Sequence, residues 1–313
     1  MDSLAVVLEE PGRIALRKVE LKPLGDTDLL VEIAWSGIST GTERLLWSGR
    51  MPPFPGLGYP LVPGYESVGR VVDAGASARG RIGETVFVPG SAGFVDVRGL
   101  FGGAARRLVA PSARVVGIAK ALAERGVLIA LAATAQHAIA GGAGAAPDLI
   151  IGHGVLGRLL ARLAVIAGGP PPTVWETNPI RAGGGLGYEV IAPEADTRRD
   201  YRAIYDVSGD SKLLGELISR LARGGEIVLA GFYDQPLSFD FPPAFMREAR
   251  LRIAAEWAPE DLAVTLDLIA TETLGLEGLI THRFAAADAD EAYRVAFTDP
   301  TCLKMALDWS AAA

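Results

Sequence analysis

The chain is poor in the residues that hold metals and bridge strands. Among its 313 residues there is one cysteine, Cys302, and three histidines, His137, His153 and His282. A single thiol excludes an internal disulfide and any zinc site built from several thiolates, and a reducing cytoplasm is the simplest setting for such a chain. Cys302 reads as a small buried hydrophobe. The histidines are scattered, with no ligand spacing between them. Positive charge is also short. With 30 Lys and Arg against 37 Asp and Glu, the formal net charge of −7 repels phosphate backbones and argues against a nucleic-acid partner. Long hydrophobic runs are missing. The most apolar stretch, residues 127–135, stops at Gln136-His137, short of the roughly 20 residues that cross a bilayer, so no transmembrane helix is expected. Residues 1–10 lack the basic start and apolar stretch of a signal peptide and read as a first strand.

What is present is 50% hydrophobic content, enough over this length to bury a large core and divide into two domains. Across residues 1–117, short β-type runs such as 29–34 and 69–73 are separated by Gly and Pro turns, which predicts a β-rich first domain. From about Ala119, Ala/Leu-rich segments with helical spacing alternate with apolar strands at 149–151 and 226–230, which predicts a parallel sheet with crossover helices.

One of those strands runs into Gly152-His153-Gly154-Val155-Leu156-Gly157 and then into a helical pattern. A strand, a G-x-G-x-x-G loop and a helix together place a pyrophosphate on main-chain N–H groups at a helix N-terminus. Gly152 allows the tight turn, Gly154 lets the phosphates approach and Gly157 lets helix and strand pack closely; His153 reads as packing near the phosphates. Glu176 ends the next apolar strand, 19 positions after Gly157. There an acid accepts hydrogen bonds from the adenosine ribose and repels a 2′-phosphate, which favours NAD over NADP; Arg181 nearby is the residue that could serve a phosphate instead.

The segment Gly37-Ile38-Ser39-Thr40-Gly41-Thr42-Glu43 resembles the G-x-C-x-x-D/T segment of medium-chain alcohol dehydrogenases, and Pro63-Gly64-Tyr65-Glu66-Ser67-Val68-Gly69 resembles their G-H-E-x-x-G segment. Residues 203–209, with Asp206 and Ser208, resemble the family's strand ending in D-x-x-G; residues 224–232, with Gly231, resemble its next strand, and 278–284 its L-I-T-H-R-F segment, which makes His282 structural. The resemblance implies an α/β fold with a β-rich GroES-like catalytic domain, residues 1–117 and 258–313, and a Rossmann doubly wound parallel-sheet domain, residues 118–257, that binds NAD. It also implies that Thr134 supports the nicotinamide and that a homodimer forms through residues 251–256. Ser39 and Tyr65 stand where the family has a zinc-binding Cys and His, and the third ligand position falls near Ala130, so no metal is expected.

Residues 33–52, 54–56 and 58–66 are more closely similar to the branch of that family that acts on bacteriochlorophyllides. That likeness implies oxidation of a 3-(1-hydroxyethyl) group on a macrocyclic bacteriochlorophyllide or chlorophyllide to 3-acetyl, with reduction of NAD. Without zinc, a side chain or water chain must remove the hydroxyl proton. Tyr65 is the first candidate, provided its surroundings lower a pKa that is ordinarily about 10. Ser39, Thr40 and Thr42 could hydrogen-bond the substrate oxygen or relay its proton, and Glu66 and His137 are alternative bases. Trp47, Phe54, Tyr59, Phe94 and Phe101 are candidates to line a wide apolar cleft, and Arg44 or Arg50 to pair with the substrate propionate. Two other readings stay open: a zinc-free quinone or enone reductase using NADPH, and a non-catalytic NAD-binding sensor or scaffold.

Overall fold

The first strand, β1 (Asp2–Glu10), carries four fully buried apolar residues in a row, Ala5, Val6, Val7 and Leu8, so both its faces are covered. The Pro11-Gly12 turn, with Gly12 at φ 79°, folds it back into β2 (Arg13–Glu20). The computed structural model describes residues 1–141 and 146–311. The long strand β3 (Asp28–Ile38) leads through a short turn into the helix α1 (Thr42–Trp47). Six short strands follow: β4 (Leu61–Val62), β5 (Ser67–Ala74), β6 (Thr85–Val88), β7 (Arg98–Gly99), β8 (Arg107–Pro111) and β9 (Val116–Gly117). The Ala/Leu-rich pattern expected to turn helical near 119 starts as a 3-10 segment, Lys120–Leu128, broken at Ala123 with φ 46°. Gly126 there lies against Val68 and Ile118, where a Cβ would collide, so packing on the sheet overrides helical propensity.

The α-helix begins only at α2 (Ile129–Ala140). Then come β10 (Leu149–Ile151), α3 (Val155–Ile166), β11 (Thr173–Trp175), β12 (Glu189–Ile191) and β13 (Tyr201–Asp206). The chain continues through α4 (Leu214–Arg220), β14 (Leu221–Leu229), α5 (Phe241–Arg247), β15 (Arg250–Ile253) and α6 (Pro259–Ala270). Its last elements are β16 (His282–Ala285), α7 (Ala289–Thr298) and β17 (Met305–Asp308).

Two compact units result, one of Met1–Ala130 with Leu276–Ala313 and one of Leu131–Gly275. In the first, β2-β1-β4-β7 form one sheet and β16-β17-β3-β5-β6-β9 another, with β8 also on β3. The returning strand β17 pairs antiparallel with β3, setting Met305 opposite Ile38. That register brings the C-terminal segment beside the β3–α1 turn. In the second unit all pairings are parallel and the order is β12-β11-β10-β13-β14-β15. The order reverses between β10 and β13, the switch point at whose carboxyl ends open α/β sheets bind ligands. Among the described residues, no helix is long and apolar enough to cross a membrane.

Candidate functional site

In the second unit, Ile151 at the end of β10 lies opposite both Trp175 and Asp206. The residues that follow these three strands therefore gather at the switch point. Gly152 takes φ 101°, a conformation that favours glycine, and donates its N–H to Trp175 O at 2.9 Å. A Cβ at Gly157 would meet Gly152 O, so the start of α3 packs tightly on the loop. At Gly154 a Cβ would meet nothing within 4 Å, and no side chain caps α3. Open space beside uncapped first-turn N–H groups, those of Val155 and Leu156 included, fits a dinucleotide pyrophosphate.

Glu176 is tied into this loop: one carboxylate oxygen accepts the His153 N–H at 3.1 Å and the other the Asn178 N–H at 2.8 Å. His153 is fully buried, its Nδ1 2.7 Å from Arg181 O and its Nε2 2.9 Å from the Tyr188 hydroxyl. A carbonyl only accepts, so Nδ1 donates and Nε2 accepts, the neutral form that burial also favours by pushing the imidazole pKa down. The Asp206 carboxylate is buried and accepts the Ser208 N–H at 2.9 Å and the Ser208 O–H at 2.6 Å; Gly231 N donates to Asp206 O at 3.0 Å. Asp206, Ser208 and Gly231 thus shape the main chain at the end of β13. Thr134 lies half-buried on α2. One turn on, His137 Nδ1 is 2.7 Å from Asp261 Oδ2, which also accepts the Ala258 N–H at 2.9 Å. In the neutral tautomer that carries Nδ1–H toward the carboxylate, Nε2 is an acceptor.

In the first unit the β3–α1 turn and the segment after β4 bring Ser39 and Tyr65 together: the Tyr65 hydroxyl donates to Ser39 Oγ at 2.7 Å. The Thr42 hydroxyl also bonds Tyr65, and Thr40 is half-buried beside them in sequence. Burial pushes the Tyr65 pKa up, and the nearby carboxylates of Glu66 and Glu43 push the same way, outweighing the Ser39 and Thr42 hydrogen bonds. The lowering that a resting tyrosinate would need is absent; Tyr65 is held as a phenol. Glu66 is fully buried, and its carboxylate meets the ammonium of Lys304, which also donates to Ile38 O at 3.2 Å. Burial raises the Glu66 pKa and Lys304 opposes it. A Cβ at Gly37 would run into Glu66 Oε2 and Lys304 Cε, so glycine lets this pair lie against β3.

Of the proposed pocket aromatics, Tyr65, Phe101 and Phe54 form a chain, with ring centroids 5.3 Å and 6.1 Å apart. Tyr59 donates its hydroxyl to Leu46 O at 2.5 Å, and Trp47 packs on Phe297 at 5.6 Å. Phe94 does not join them. It is 4% exposed in the main core of this unit, where its bridge to Leu21 draws it inward, and that removes it from any ligand surface. Arg44 and Arg50 are exposed, the latter donating to Ser48 Oγ at 3.2 Å.

Three residues beside the hydroxyl pair carried no role in the sequence reading. Glu43, fully buried, accepts the Ser39 N–H at 2.9 Å and the Tyr293 O–H at 2.5 Å. Burial raises its pKa from 4.5 to about 7. Tyr293 and Lys304 complete the set. Glu43 has a local signal, its place four residues after Ser39; the other two reach the site only through the fold. The polar groups around Ser39 and Tyr65 are thus hydroxyls, two carboxylates and an ammonium. Among the described residues, no group of three or more His, Cys, Asp or Glu could hold a metal ion.

Residues 25–120 match the alcohol dehydrogenase GroES-like domain. A protein of Rhodobacter capsulatus, 2-desacetyl-2-hydroxyethyl bacteriochlorophyllide A dehydrogenase, is 58% identical over 310 residues that cover 99% of each chain. Among solved structures, an alcohol dehydrogenase from E. coli CFT073 complexed with NADH has a TM-score of 0.84 at 20% identity, covering 98% of this chain and 99% of that one. A zinc-binding dehydrogenase from Sinorhizobium meliloti 1021 bound to NADP has a TM-score of 0.82, also at 20% identity and with the same coverage. These two share the fold. Identity over half the positions from end to end says more, and the chain belongs to the medium-chain alcohol dehydrogenases, in the branch of the bacteriochlorophyllide A dehydrogenases, as an oxidoreductase.

Proposed function

We propose that the protein oxidises the 3-(1-hydroxyethyl) group of a bacteriochlorophyllide, or of the matching chlorophyllide, to 3-acetyl, with NAD as acceptor and without catalytic zinc, in the cytoplasm. The substrate class follows the name of the relative that shares 58% of its residues. The observation that carries the chemistry is the Tyr65–Ser39 hydroxyl pair, 2.7 Å apart, standing where zinc members place ligands. Glu176 supports NAD, because its carboxylate is pinned beside the dinucleotide loop, where a 2′-phosphate would meet negative charge.

Bound nicotinamide supplies the hydride acceptor. The hydroxyls of Tyr65, Ser39 and Thr42 hold the carbinol oxygen and carry its proton away. In a concerted relay the carbinol proton moves to Tyr65 Oη, the Tyr65 proton to Ser39 Oγ and the Ser39 proton to water. Tyr65 is then a phenol before and after, as its raised pKa requires. His137 is the alternative base, through Nε2 of the neutral tautomer whose Nδ1–H meets Asp261. Trp47, Phe54, Tyr59 and Phe101 line the pigment site, and Arg44 or Arg50 meets the propionate. A homodimer forms through the edge strand β15, whose Ile253 is 75% exposed.

The test is NADH formation by metal-stripped protein given NAD and a 3-(1-hydroxyethyl) bacteriochlorophyllide, with the pigment spectrum recorded in parallel. Turnover with a 3-acetyl spectrum is expected, with NAD preferred to NADP. Turnover only after zinc is added would overturn the metal-free reading. NAD binding without turnover under either condition would leave a sensor or scaffold.

A further inference from the structure

Two groups grip Ser39 from different sides. Tyr65 reaches its hydroxyl, and Glu43 reaches its main-chain N–H at 2.9 Å. Glu43 sits in the first turn of α1, whose N-cap, Gly41, offers no side chain, so the carboxylate reaches back to cap the turn from inside the helix. Its other oxygen accepts from Tyr293 on α7, which ties the turn to an element from the far end of the chain. A neutral amide could accept the same N–H.

We propose that Glu43 is a positioning residue for the reaction: it fixes the Ser39 turn against α7 so that the Ser39 and Tyr65 hydroxyls keep the relay geometry. Glu43 touches Ser39 through the N–H alone, so it stands outside the path of the substrate proton. Either ionisation state can do this. When the carboxyl is protonated at Oε2, the Tyr293 hydroxyl turns from donor to acceptor and Oε1 still accepts from Ser39. The groups facing it, Ser39, Tyr293, Glu66 and Lys304, all belong to the same unit. The kinetic part of this inference rests on the dehydrogenase reading; the geometric part does not.

The test compares full-length wild type with Glu43→Ala, Glu43→Gln and Tyr293→Phe. Two readouts are taken: kcat and KM with the hydroxyethyl bacteriochlorophyllide, and the NMR signal of Tyr65 in protein labelled at the tyrosine ζ carbon, assigned through Tyr65→Phe. Glu43→Ala is expected to lower kcat about tenfold or more with little change in KM and to move the Tyr65 signal. Glu43→Gln restores most of both, because its amide oxygen still accepts the Ser39 N–H. Tyr293→Phe gives a smaller loss in the same direction. A folded Glu43→Ala protein with unchanged kcat and an unmoved Tyr65 signal overturns the proposal. If that variant does not fold, Tyr293→Phe with neither readout changed overturns it equally. Should wild type itself fail to turn over, the dehydrogenase reading falls and the Tyr65 signal alone decides the positioning role.

Discussion

The dinucleotide loop of the second unit and the hydroxyl site of the first are built by opposite means. The loop is made of main chain: absent side chains at Gly152, Gly154 and Gly157, uncapped N–H groups on α3, and one carboxylate, Glu176, held by two amides. The hydroxyl site is made of side chains, and it buries Glu43, Glu66 and Lys304 completely or nearly so beneath Ser39 and Tyr65. A backbone site tolerates little added volume but carries little electrostatic strain. A site of buried charges holds its shape only while every charge keeps its partner.

The largest effect that would expose this difference comes from Lys304. Replacing it with Met leaves Glu66 buried without its counter-charge, which should cost about 3–5 kcal/mol of stability. Chemical unfolding measures that loss, and Glu66→Gln with Lys304→Met should recover most of it. NAD affinity, titrated well below the unfolding transition, should stay within about threefold of wild type. The loop should behave in reverse. Gly154 has φ −74° and open space at its Cβ position, so Gly154→Val is expected to leave the melting temperature unchanged. NAD binding should nevertheless fall on the order of 100-fold, about 3 kcal/mol, because the side chain fills the phosphate's approach. If Gly154→Val bound NAD normally, the loop would not be the pyrophosphate cradle.

Glu43 gives the same contrast a pH axis. Its carboxyl has a pKa of about 7 in the folded protein against an ordinary 4.5, so the folded state holds the proton more tightly than the unfolded chain. Below about 4.5 both states are protonated and nothing is lost. As pH rises from 4.5 to 7 the unfolded chain releases its proton first, and stability falls; above 7 the penalty levels off at about 3 kcal/mol. Glu43→Gln should remove that fall, matching wild type near pH 4.5 and exceeding it at pH 8. Parallel stability curves for the two proteins across this window would show that burial does not raise this carboxyl.

The difference in construction also decides what the sequence could reveal. Alternating apolar runs and a strand running into G-x-G-x-x-G are local patterns, so the β-rich and parallel-sheet parts and the strand–loop–helix at 149–166 could be read directly. Glu176 was placed by spacing along one crossover. The pairing of Ser39 with Tyr65 needed the resemblance, since 26 residues separate them. Glu43 stood in the motif without a role, because its meaning depends on Tyr293, 250 residues away, and Lys304 reaches Glu66 only when β17 returns to β3. Phe94 shows the same limit: an aromatic in a loop-rich stretch has no pattern to say whether it faces a pocket or the core. The break at Ala123 was hidden because the helix-forming composition of 120–128 yields there to close packing at Gly126.

The smallest expected effect concerns Glu176 and tests whether a main-chain site can be specific through a single charge. Both carboxylate oxygens already accept amides, from His153 and Asn178, so the side chain cannot swing away when a cofactor with a 2′-phosphate approaches. Glu176→Gln keeps the shape and an acceptor for one of those amides while deleting the charge. The proposed preference for NAD over NADP, measured as the ratio of their kcat/KM values, should then fall about tenfold, mostly through tighter NADP binding. Arg181 lies in the loop that His153 and Arg158 hold through its carbonyl, and its guanidinium is a cation that a 2′-phosphate could use once the repulsion is gone. An unchanged ratio would mean that discrimination comes from the shape of the 176–184 loop, and Glu176 would then serve only to hold the two amides.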